Sequence, residues 1–434
     1  MLELWFDFSC PYAYLASHQA RTLGVPNERP VGGARSTPEG ARGLIDWRPM
    51  LLGGVFRGAG AGDGPMATLS PQKARHNLAD MHRWAAHLGV PFRMPDAHPM
   101  RTVRALRVLL ALPHSRWPAA IEAIYAAYWQ RGEDITSDAV LAAALAAIPE
   151  AHLAFAHADD VAIKDELRRR TDEAVGLGIF GAPAWISRPH LIWGQDRLPW
   201  VQAMAAGWNP DTDPPDGPHR IVAPPGGSVD PPVLPSGSAS PSAHGGLEAF
   251  FDVASPFSYL GLTQVGGLAT RLVPILLGGL FRAIGTPDVP LLGFPPAKQR
   301  YVNADMHRWA RWWGVPFRTP TKFPQRTVAA QRLCVVAAER DLATQLVLAQ
   351  ALGRAMWAED RDLEDDATLR QILDGLGLPV AWLARTQEPA VKQALIANTE
   401  EAKARGVFGV PTWIVRGDEL YWGQDRLALA AAAR

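Results

Sequence analysis

The stretch LWFDFSCPYAYL at residues 4–15 decides the fold, because a closely similar stretch, AFFDVASPFSYL, returns at residues 249–260. Each copy is a run of aliphatic and aromatic residues followed by a proline that opens a helically spaced apolar pattern. This pattern predicts a strand, a turn and a helix. At the turn the first copy has Cys10 and the second has Ser255. That exchange makes the turn a candidate site of function.

Three further motifs recur in the same order, which indicates that one domain is present twice. They are ADMHRWA at 79–85 and 304–310, FGAP or FGVP at 180–183 and 408–411, and WGQDRL at 193–198 and 422–427. A chain of 434 residues is long enough for two domains, each with its own core. The sequence predicts domains at 1–208 and 247–434, joined by an extended Pro-, Gly- and Ser-rich linker at 209–246.

Both copies have the same predicted order of elements. After the first strand and helix, short apolar runs at Leu44–Leu52 and Leu272–Leu277 predict a second strand that ends at a Gly-Gly pair. Helical tracts follow at about 70–176 and 295–405, and two strands and a helix close each copy. The order βαβ, helical insertion, ββα predicts an α/β fold. The first copy carries an extra Gly-, Pro- and Arg-rich segment, Val25–Gly43, which is predicted to be a surface loop.

Charge and cysteine content limit the classes of partner. Lys plus Arg and Asp plus Glu are 43 each, so overall charge does not favour nucleic acid or an anionic membrane. The sequence has no leader pattern and no apolar run of membrane-spanning length. Cys10 and Cys334 occupy non-corresponding positions, and Cys334 replaces the apolar Leu109, so no disulfide framework is expected. We therefore expect a soluble, cytoplasmic protein with a small-molecule substrate.

The residues at the turn have two interpretations. Cys10 and Ser255 each precede the proline of a helical first turn, where a serine side chain caps exposed N–H groups. Alternatively, the partial positive charge of the helix N-terminus stabilises a bound thiolate, or lowers the pKa of Cys10 itself. Local sequence alone favours the cap.

Two other motifs also have a structural and a functional interpretation, and each by itself is weak evidence for a ligand site. Ala182-Pro183 and Val410-Pro411 precede a strand and are candidate cis peptide bonds, which would turn backbone groups towards a ligand. Gln195-Asp196 and Gln424-Asp425 open the last helix, where the aspartate either favours the helix dipole or accepts a hydrogen bond from a ligand ammonium.

Charged residues recur on the first helix of each insertion. Lys73, Asp80 and Arg83 have a spacing that places them on one side of this helix, and a solvated face with ion pairs is the default interpretation. Their counterparts are Lys298, Asp305 and Arg308. His82 and His307 have no further ligand at metal-binding spacing, so no metal site is predicted.

Taken together and in this order, these motifs resemble those of the DsbA and kappa-class glutathione transferase group of thioredoxin-like proteins. Within that group the chain is most similar to 2-hydroxychromene-2-carboxylate isomerases, over nearly all of both copies. The resemblance implies two tandem thioredoxin-like domains, each with an inserted α-helical subdomain, and glutathione as cofactor. Because relatives are commonly homodimers of single domains, it also implies that the copies form an intramolecular pseudo-dimer, with a further homodimer possible.

The resemblance also implies roles for residues at the turn and at the prolines. Ser255 matches the serine that holds the glutathione sulfur as a thiolate, and Cys10 stands in that place in the first copy. Val410, before Pro411, and Ala182, before Pro183, match the residues whose backbone pairs with the cysteinyl part of glutathione.

The ends of glutathione are assigned in the same way. Gln424-Asp425 and Gln195-Asp196 match the pair that receives the γ-glutamyl end. Lys298 and Lys73 match the basic residue that faces the glycyl carboxylate and the substrate. The segment between Phe281 and Lys298, including Gly285–Gly293, departs from the isomerases because it lacks the expected asparagine.

Three functions follow. The leading one is a glutathione-dependent cis-trans isomerase of aromatic or unsaturated keto acids, with Lys298 and inward-pointing Arg326 or Arg101 binding the substrate carboxylate. The second is a glutathione transferase or monothiol oxidoreductase that uses Cys10, although Ala13 stands where a resolving cysteine would be. The third is a binding module in which one or both copies have lost chemistry.

Overall fold

The computed structural model describes residues 2–21, 23, 45–62, 64, 69–212, 246–287 and 289–434. The predicted surface loop at 25–43, the linker at 213–245 and Asp288 lie outside the described residues. No helix within the described ranges combines the length and the apolar character that crossing a membrane requires.

The described chain forms two compact units. Unit 1 contains residues 1–69, 77–210 and 294–301, and unit 2 contains residues 70–76, 211–293 and 302–434. Each unit holds most of one copy together with a short segment from the first insertion helix of the other. The predicted domain bounds, 1–208 and 247–434, follow the sequence repeat and stay a prediction, whereas the units group residues by their contacts.

Unit 1 is built on a four-stranded mixed sheet in the order β2-β1-β3-β4. The strands are β1 (Leu2–Phe6), β2 (Ile45–Pro49), β3 (Ala184–Ser187) and β4 (His190–Trp193). β1 pairs in parallel with β2 and antiparallel with β3, which in turn pairs antiparallel with β4. As a central strand, β1 buries residues on both faces, and its one charged residue, Glu3, accepts a hydrogen bond from Trp5 Nε1 at 2.8 Å.

The helices of the first copy follow the predicted order. They are α1 (Pro11–Ala20), α2 (Leu52–Gly58), α3 (Pro71–Leu88), α4 (Val103–Ala111), α5 (Trp117–Ala126), α6 (Asp138–Ala144), α7 (Ala151–His157), α8 (Val161–Gly176) and α9 (Leu198–Ala205). The alanine-rich stretch at 119–147 contains the end of α5 and all of α6. After a π-helical turn it is interrupted at Gly132, which has φ 70°.

Unit 2 repeats the sheet in the order β6-β5-β7-β8. Its strands are β5 (Leu247–Phe251), β6 (Arg271–Pro274), β7 (Thr412–Val415) and β8 (Glu419–Trp422). The helices of the second copy are α10 (Pro256–Val265), α11 (Leu277–Ala283), α12 (Pro296–Trp312), α13 (Val328–Ala338), α14 (Leu342–Trp357), α15 (Asp366–Gly375), α16 (Trp382–Arg385), α17 (Pro389–Ala404) and α18 (Leu427–Ala432). The predicted α/β class with helical insertions is confirmed.

The second strand of each copy is shorter than predicted. β2 ends at Pro49 and β6 at Pro274, and each Gly-Gly pair lies inside the following helix, α2 or α11. A Cβ atom on Gly54 would lie 2.7 Å from the Thr171 side chain of α8. The glycine there permits close helix packing rather than a turn, so the prediction that the strand runs to the glycines is wrong.

The core of unit 2 reaches the candidate site. One buried cluster joins the sheet to the helices that cover it, and its members are Phe250, Val273, Ile275, Leu280, Ala402, Val407, Val410 and Ile414. Burying an aliphatic or aromatic side chain of this size contributes roughly 1.5–3 kcal/mol. Val410, the residue before Pro411, is thereby anchored in the core.

Candidate functional site

Ser255 lies at the N-terminus of α10 and makes two hydrogen bonds through its hydroxyl. Its oxygen accepts from the backbone N–H of Ser258 at 3.2 Å, so Ser255 caps the helix. The hydroxyl also lies 3.2 Å from the carbonyl oxygen of Val410, to which it donates. The side chain is buried. The turn and the residue before Pro411 are therefore in direct contact, which connects two motifs that are far apart in sequence.

Cys10 has the same position in unit 1 but a different bonding pattern. Its Sγ lies 3.1 Å from the carbonyl oxygen of Ala182, and its side chain makes no capping hydrogen bond. Burial raises the pKa of Cys10 to about 12, and the backbone N–H groups of Ala13 and Tyr12 offset this only in part. The expectation that the helix N-terminus lowers the pKa of Cys10 is wrong, because burial is the larger effect. Cys334 is also buried, and burial raises its pKa too.

A buried aspartate holds each turn. In unit 2, Asp252 accepts hydrogen bonds from the N–H of Ala254, the N–H of Leu277 and the hydroxyl of Thr327, each at 2.9 Å. In unit 1, Asp7 accepts the matching bonds, including one of 2.6 Å from the hydroxyl of Thr102. Burial raises the pKa of both carboxyl groups. Each aspartate therefore connects the turn to the helix that follows the second strand, α2 or α11, and to the helical insertion.

The two predicted cis peptide bonds, Ala182-Pro183 and Val410-Pro411, are confirmed. The glycine before each of them is required by a close approach. A Cβ atom on Gly181 would lie 2.9 Å from Trp193 Nε1, and one on Gly409 would lie 2.7 Å from Trp422 Nε1. The Phe-Gly-x-Pro motif therefore packs against the tryptophan of the Trp-Gly-Gln-Asp motif in each unit.

The Gln-Asp pairs lie in a short 3₁₀ helix directly after the last strand. Gln195 and Gln424 are buried, and the preceding glycines have φ values of 113° and 110°. Asp196 and Asp425 each lie 3.1 Å from the guanidinium of the next residue, an arginine. In unit 1 the amide nitrogen of Gln195 is buried and has no hydrogen-bond partner among the described residues. A carboxylate, a guanidinium and an amide are thus close together at this turn.

The predicted lysines lie beside the same tryptophans. In unit 1, Lys298 Nζ is 5.6 Å from the centroid of the Trp193 ring. In unit 2, Lys73 Nζ is 5.0 Å from the centroid of the Trp422 ring, and burial lowers the pKa of Lys73. Each lysine therefore accompanies the Trp-Gly-Gln-Asp turn of the copy other than its own.

Two residues at these turns were missed by sequence reasoning. In unit 1, the hydroxyl of Tyr301 lies 2.9 Å from the backbone nitrogen of Trp193 and 3.2 Å from its carbonyl oxygen. In unit 2, Nε2 of His76 accepts from the backbone N–H of Trp422 at 3.1 Å. His76 and Tyr301 occupy the same position three residues after the lysines. That shared spacing is the signal that would have found them.

The helix face around the lysines is not a solvated one. Asp80, Asp305 and Arg308 are buried, and Arg308 Nε lies 2.7 Å from a carboxylate oxygen of Asp211. The interpretation of this face as solvent-exposed was therefore wrong. The buried charge of Arg308 is tolerated there because it is paired with Asp211.

The predicted inward arginines are also placed differently. Arg101 and Arg326 are exposed, whereas the threonines that follow them are buried against Asp7 and Asp252. Two surface depressions in unit 2, of about 350 and 270 Å³, contain none of the predicted site residues. In the part of the chain that is described, no group of three or more His, Cys, Asp or Glu residues is arranged to hold a metal ion.

Comparison with known proteins gives the family. The sequence profile described as "DSBA-like thioredoxin domain" matches residues 1–204 and 246–433. Kappa 2 glutathione S-transferase of Caenorhabditis elegans is 29% identical over 204 residues, covering 43% of this chain and 89% of that protein. A 2-hydroxychromene-2-carboxylate isomerase of Pseudomonas putida is 31% identical over 196 residues, covering 43% of this chain and 93% of that protein.

A solved structure of a 2-hydroxychromene-2-carboxylate isomerase is 25% identical and aligns with a TM-score of 0.39, covering 43% of this chain and 93% of that one. The profile covers most of the chain and matches it twice, in agreement with the repeated motifs. The chain therefore belongs to the DSBA-like thioredoxin domain family, with two copies of the domain, and its relatives include kappa-class glutathione transferases and 2-hydroxychromene-2-carboxylate isomerases.

Proposed function

We propose that the protein is a glutathione-dependent cis-trans isomerase of the 2-hydroxychromene-2-carboxylate isomerase type, acting on aromatic or unsaturated keto acids. The observation that carries the proposal is the position of the Ser255 hydroxyl. It lies between the first N–H groups of α10 and the carbonyl of Val410, which precedes a cis proline. A hydroxyl held at a helix N-terminus suits a thiolate, because both the O–H and the N–H groups stabilise negative charge.

The residues at the Trp-Gly-Gln-Asp turn fit the γ-glutamyl end of glutathione. That end carries an ammonium and a carboxylate on one carbon. Asp425 offers an acceptor for the ammonium, and the adjacent Arg426, 3.1 Å away, offers donors for the carboxylate. In unit 1 the amide nitrogen of Gln195, which has no hydrogen-bond partner within the described ranges, is a further donor of this kind. Lys73 and Lys298 supply positive charge for the glycyl carboxylate.

The hydrogen bonds at Ser255 can be exchanged without leaving a buried group unsatisfied. With a cysteinyl peptide alongside, the Val410 carbonyl would accept from the peptide N–H instead of from Ser255. The Ser255 hydroxyl would then be free to donate to the sulfur while still accepting from Ser258. Such an exchange avoids the cost of an unpaired buried group, roughly 1–3 kcal/mol.

Glutathione would supply reversible addition of its thiolate to the conjugated double bond, so that the bond rotates before elimination restores the alkene and releases glutathione unchanged. The chain's part is to hold the sulfur as a thiolate at Ser255 and to orient the substrate. Because only the thiolate adds to the double bond, stabilising it raises the fraction of bound glutathione that can react at neutral pH.

The alternative, thiol transfer through Cys10, is less well supported. Its pKa of about 12 leaves Cys10 protonated at neutral pH, whereas the thiolate is the nucleophile. Ala13 occupies the position where a resolving cysteine would stand. Cys10 is better described as a buried hydrogen-bond donor to Ala182.

Turnover of 2-hydroxychromene-2-carboxylate by the full-length chain tests the proposal. We expect isomerisation that requires glutathione and leaves the total thiol concentration unchanged at the end of the reaction. S-methylglutathione is the matched control, because it keeps the peptide but lacks the thiol. Equal rates with both peptides, or steady loss of thiol as substrate is converted, would contradict an isomerase.

A further inference from the structure

A four-residue segment next to the turn is repeated in both copies and places an arginine beside each site. It reads Pro-Met-Arg-Thr at 99–102 and Pro-Gln-Arg-Thr at 324–327. In unit 2, Thr327 donates to Asp252 at 2.9 Å, and the Asp252 carbonyl accepts from the N–H of Ser255, also at 2.9 Å. The backbone of Arg326 is therefore fixed one residue from a contact that anchors the Ser255 turn.

The guanidinium of Arg326 is available to a ligand. Arg326 is exposed, and within the described residues no carboxylate lies at ion-pair distance from its side chain. The nearby Glu364 is occupied by other groups. It accepts from the backbone N–H of Arg326 at 2.9 Å and lies 3.1 Å from Lys322 Nζ. Among the side chains that are described, Arg101 in unit 1 is likewise exposed and without an acidic partner.

An exposed aromatic ring lies on the same segment. Phe323 keeps 44% of its surface exposed, although a ring of this size is usually buried. Its centroid is 5.7 Å from that of Trp357, whose Nε1 donates to the carbonyl of Val253 at 2.9 Å. Val253 belongs to the Ser255 turn. The phenyl ring of Phe323 and the backbone that carries the exposed Arg326 side chain therefore lie beside this turn.

Unit 1 differs at the position of this ring. His98 replaces Phe323, and its Nδ1 lies 2.9 Å from the hydroxyl of Tyr128. The hydroxyl of Tyr128 also accepts from the N–H of Met100 at 3.0 Å, so its proton is directed at His98. The equivalent surface in unit 1 is thus a half-buried polar ring held by a hydrogen bond, which is a poorer apolar platform.

We propose that Phe323 and Arg326 form a binding site for an aromatic carboxylate beside Ser255, in which the ring stacks on Phe323 and the carboxylate pairs with Arg326. This inference rests on the proposed function and sharpens it, because it assigns the aromatic substrate to unit 2. Planar guanidinium matches carboxylate through paired hydrogen bonds, and offset aromatic pairs are favourable. Unit 1, with Arg101 and His98, retains the charge without the apolar ring.

Calorimetric titration of the full-length chain with 3-phenylpropanoate tests the site, since this probe has the ring and the carboxylate but no double bond to react. 3-Phenylpropanamide is the uncharged match. We expect Arg326→Gln to weaken binding of the acid about 10- to 100-fold and to leave the amide unchanged, as loss of a charged hydrogen bond predicts. Arg326→Lys should restore part of the affinity, and Phe323→His should weaken both probes.

Arg370→Gln, an exposed arginine elsewhere in unit 2, is the control and should bind the probes like wild type. Circular dichroism of each variant measures whether it is folded. If either Arg326→Gln or Phe323→His proves unstable, the other still tests the site. Unchanged affinity of Arg326→Gln for the acid, a full loss in Arg101→Gln instead, or no binding by wild type would overturn the site. Because the probe is not turned over, Arg326-dependent binding without isomerase activity would reject the proposed function and keep the site. Isomerase activity together with probe binding that does not change in Arg326→Gln would keep the proposed function and reject the site.

Discussion

Replacing Ser255 by alanine isolates the hydroxyl from the rest of the proposed thiolate site. The change removes the oxygen that accepts from Ser258 and the O–H that donates to Val410. It leaves the backbone of the turn in place, because Asp252 still receives the N–H of Ser255 through its carbonyl and that of Ala254 through its carboxylate. The expected effects are therefore a loss of stability and a loss of catalysis, which separate measurements distinguish.

The magnitudes follow from the bonds removed. Loss of a helix cap costs about 1 kcal/mol, and leaving the Val410 carbonyl without its donor adds roughly 1–3 kcal/mol. A hydrogen bond to a charged acceptor contributes about 1.5–3 kcal/mol, which corresponds to a rise of about one to two units in the pKa of the bound glutathione thiol. At neutral pH such a rise reduces the thiolate fraction, and with it kcat, by roughly 10- to 100-fold.

The pH dependence of kcat at saturating glutathione measures this effect. The acidic limb of the profile should move to higher pH in Ser255→Ala, whereas Cys10→Ser, the matched change in unit 1, should keep or raise activity. A profile that falls in height without moving would mean that Ser255 acts only on the fold. Loss of turnover in Cys10→Ser with none in Ser255→Ala would transfer the chemistry to the thiol of Cys10.

Three further outcomes are expected. Because burial raises the pKa of Cys10 to about 12, its alkylation by iodoacetamide at pH 8 should be far slower in the folded chain than in the chain unfolded in urea; equal rates would contradict the burial. Tyr301→Phe removes the hydrogen bond to Trp193 and should weaken glutathione binding in unit 1 by about tenfold, seen by calorimetry, while His76 preserves unit 2; a loss in both units would be inconsistent. Because burial raises the pKa of Asp252, its contribution to stability is full below 3.8 and is lost as pH rises through the folded-state pKa. The stability advantage of wild type over Asp252→Asn in urea unfolding should therefore shrink with rising pH, and an advantage that grows would refute the sign.

The features predicted from sequence are those that local chemistry determines. The proline after Ser255 and the apolar run before it place a strand, a turn and a helix without reference to the rest of the chain. The cis bond at Val410-Pro411 was only a candidate on local sequence, and the family resemblance made it an expectation. Because each motif occurs in both copies, the order of elements predicted for one copy could be compared with the order predicted for the other.

The features that were missed depend on residues distant in sequence. The sequence around Gly54 predicts a turn, whereas in the structure this glycine allows Thr171 of α8 to pack closely against α2. The pKa of Cys10 depends on burial by the surrounding fold, which outweighs the local helix N-terminus. Tyr301 contacts Trp193, from which it is separated by 108 residues, so its partner could not be identified from local sequence. Tertiary packing, rather than local preference, decides each of these cases.

Cys10 and Ser255 differ in the hydrogen bonds that their side chains make. Both donate to the carbonyl before a cis proline, at 3.1 Å from Sγ and 3.2 Å from Oγ, so the geometry is retained. A thiol is the weaker donor, and Cys10 makes no capping bond to the helix, whereas Ser255 also accepts from Ser258. A donor that must stabilise a sulfur anion benefits from being strong and fixed in orientation. The second unit, which also presents Phe323 and Arg326, therefore meets the requirements of the proposed reaction more fully than the first.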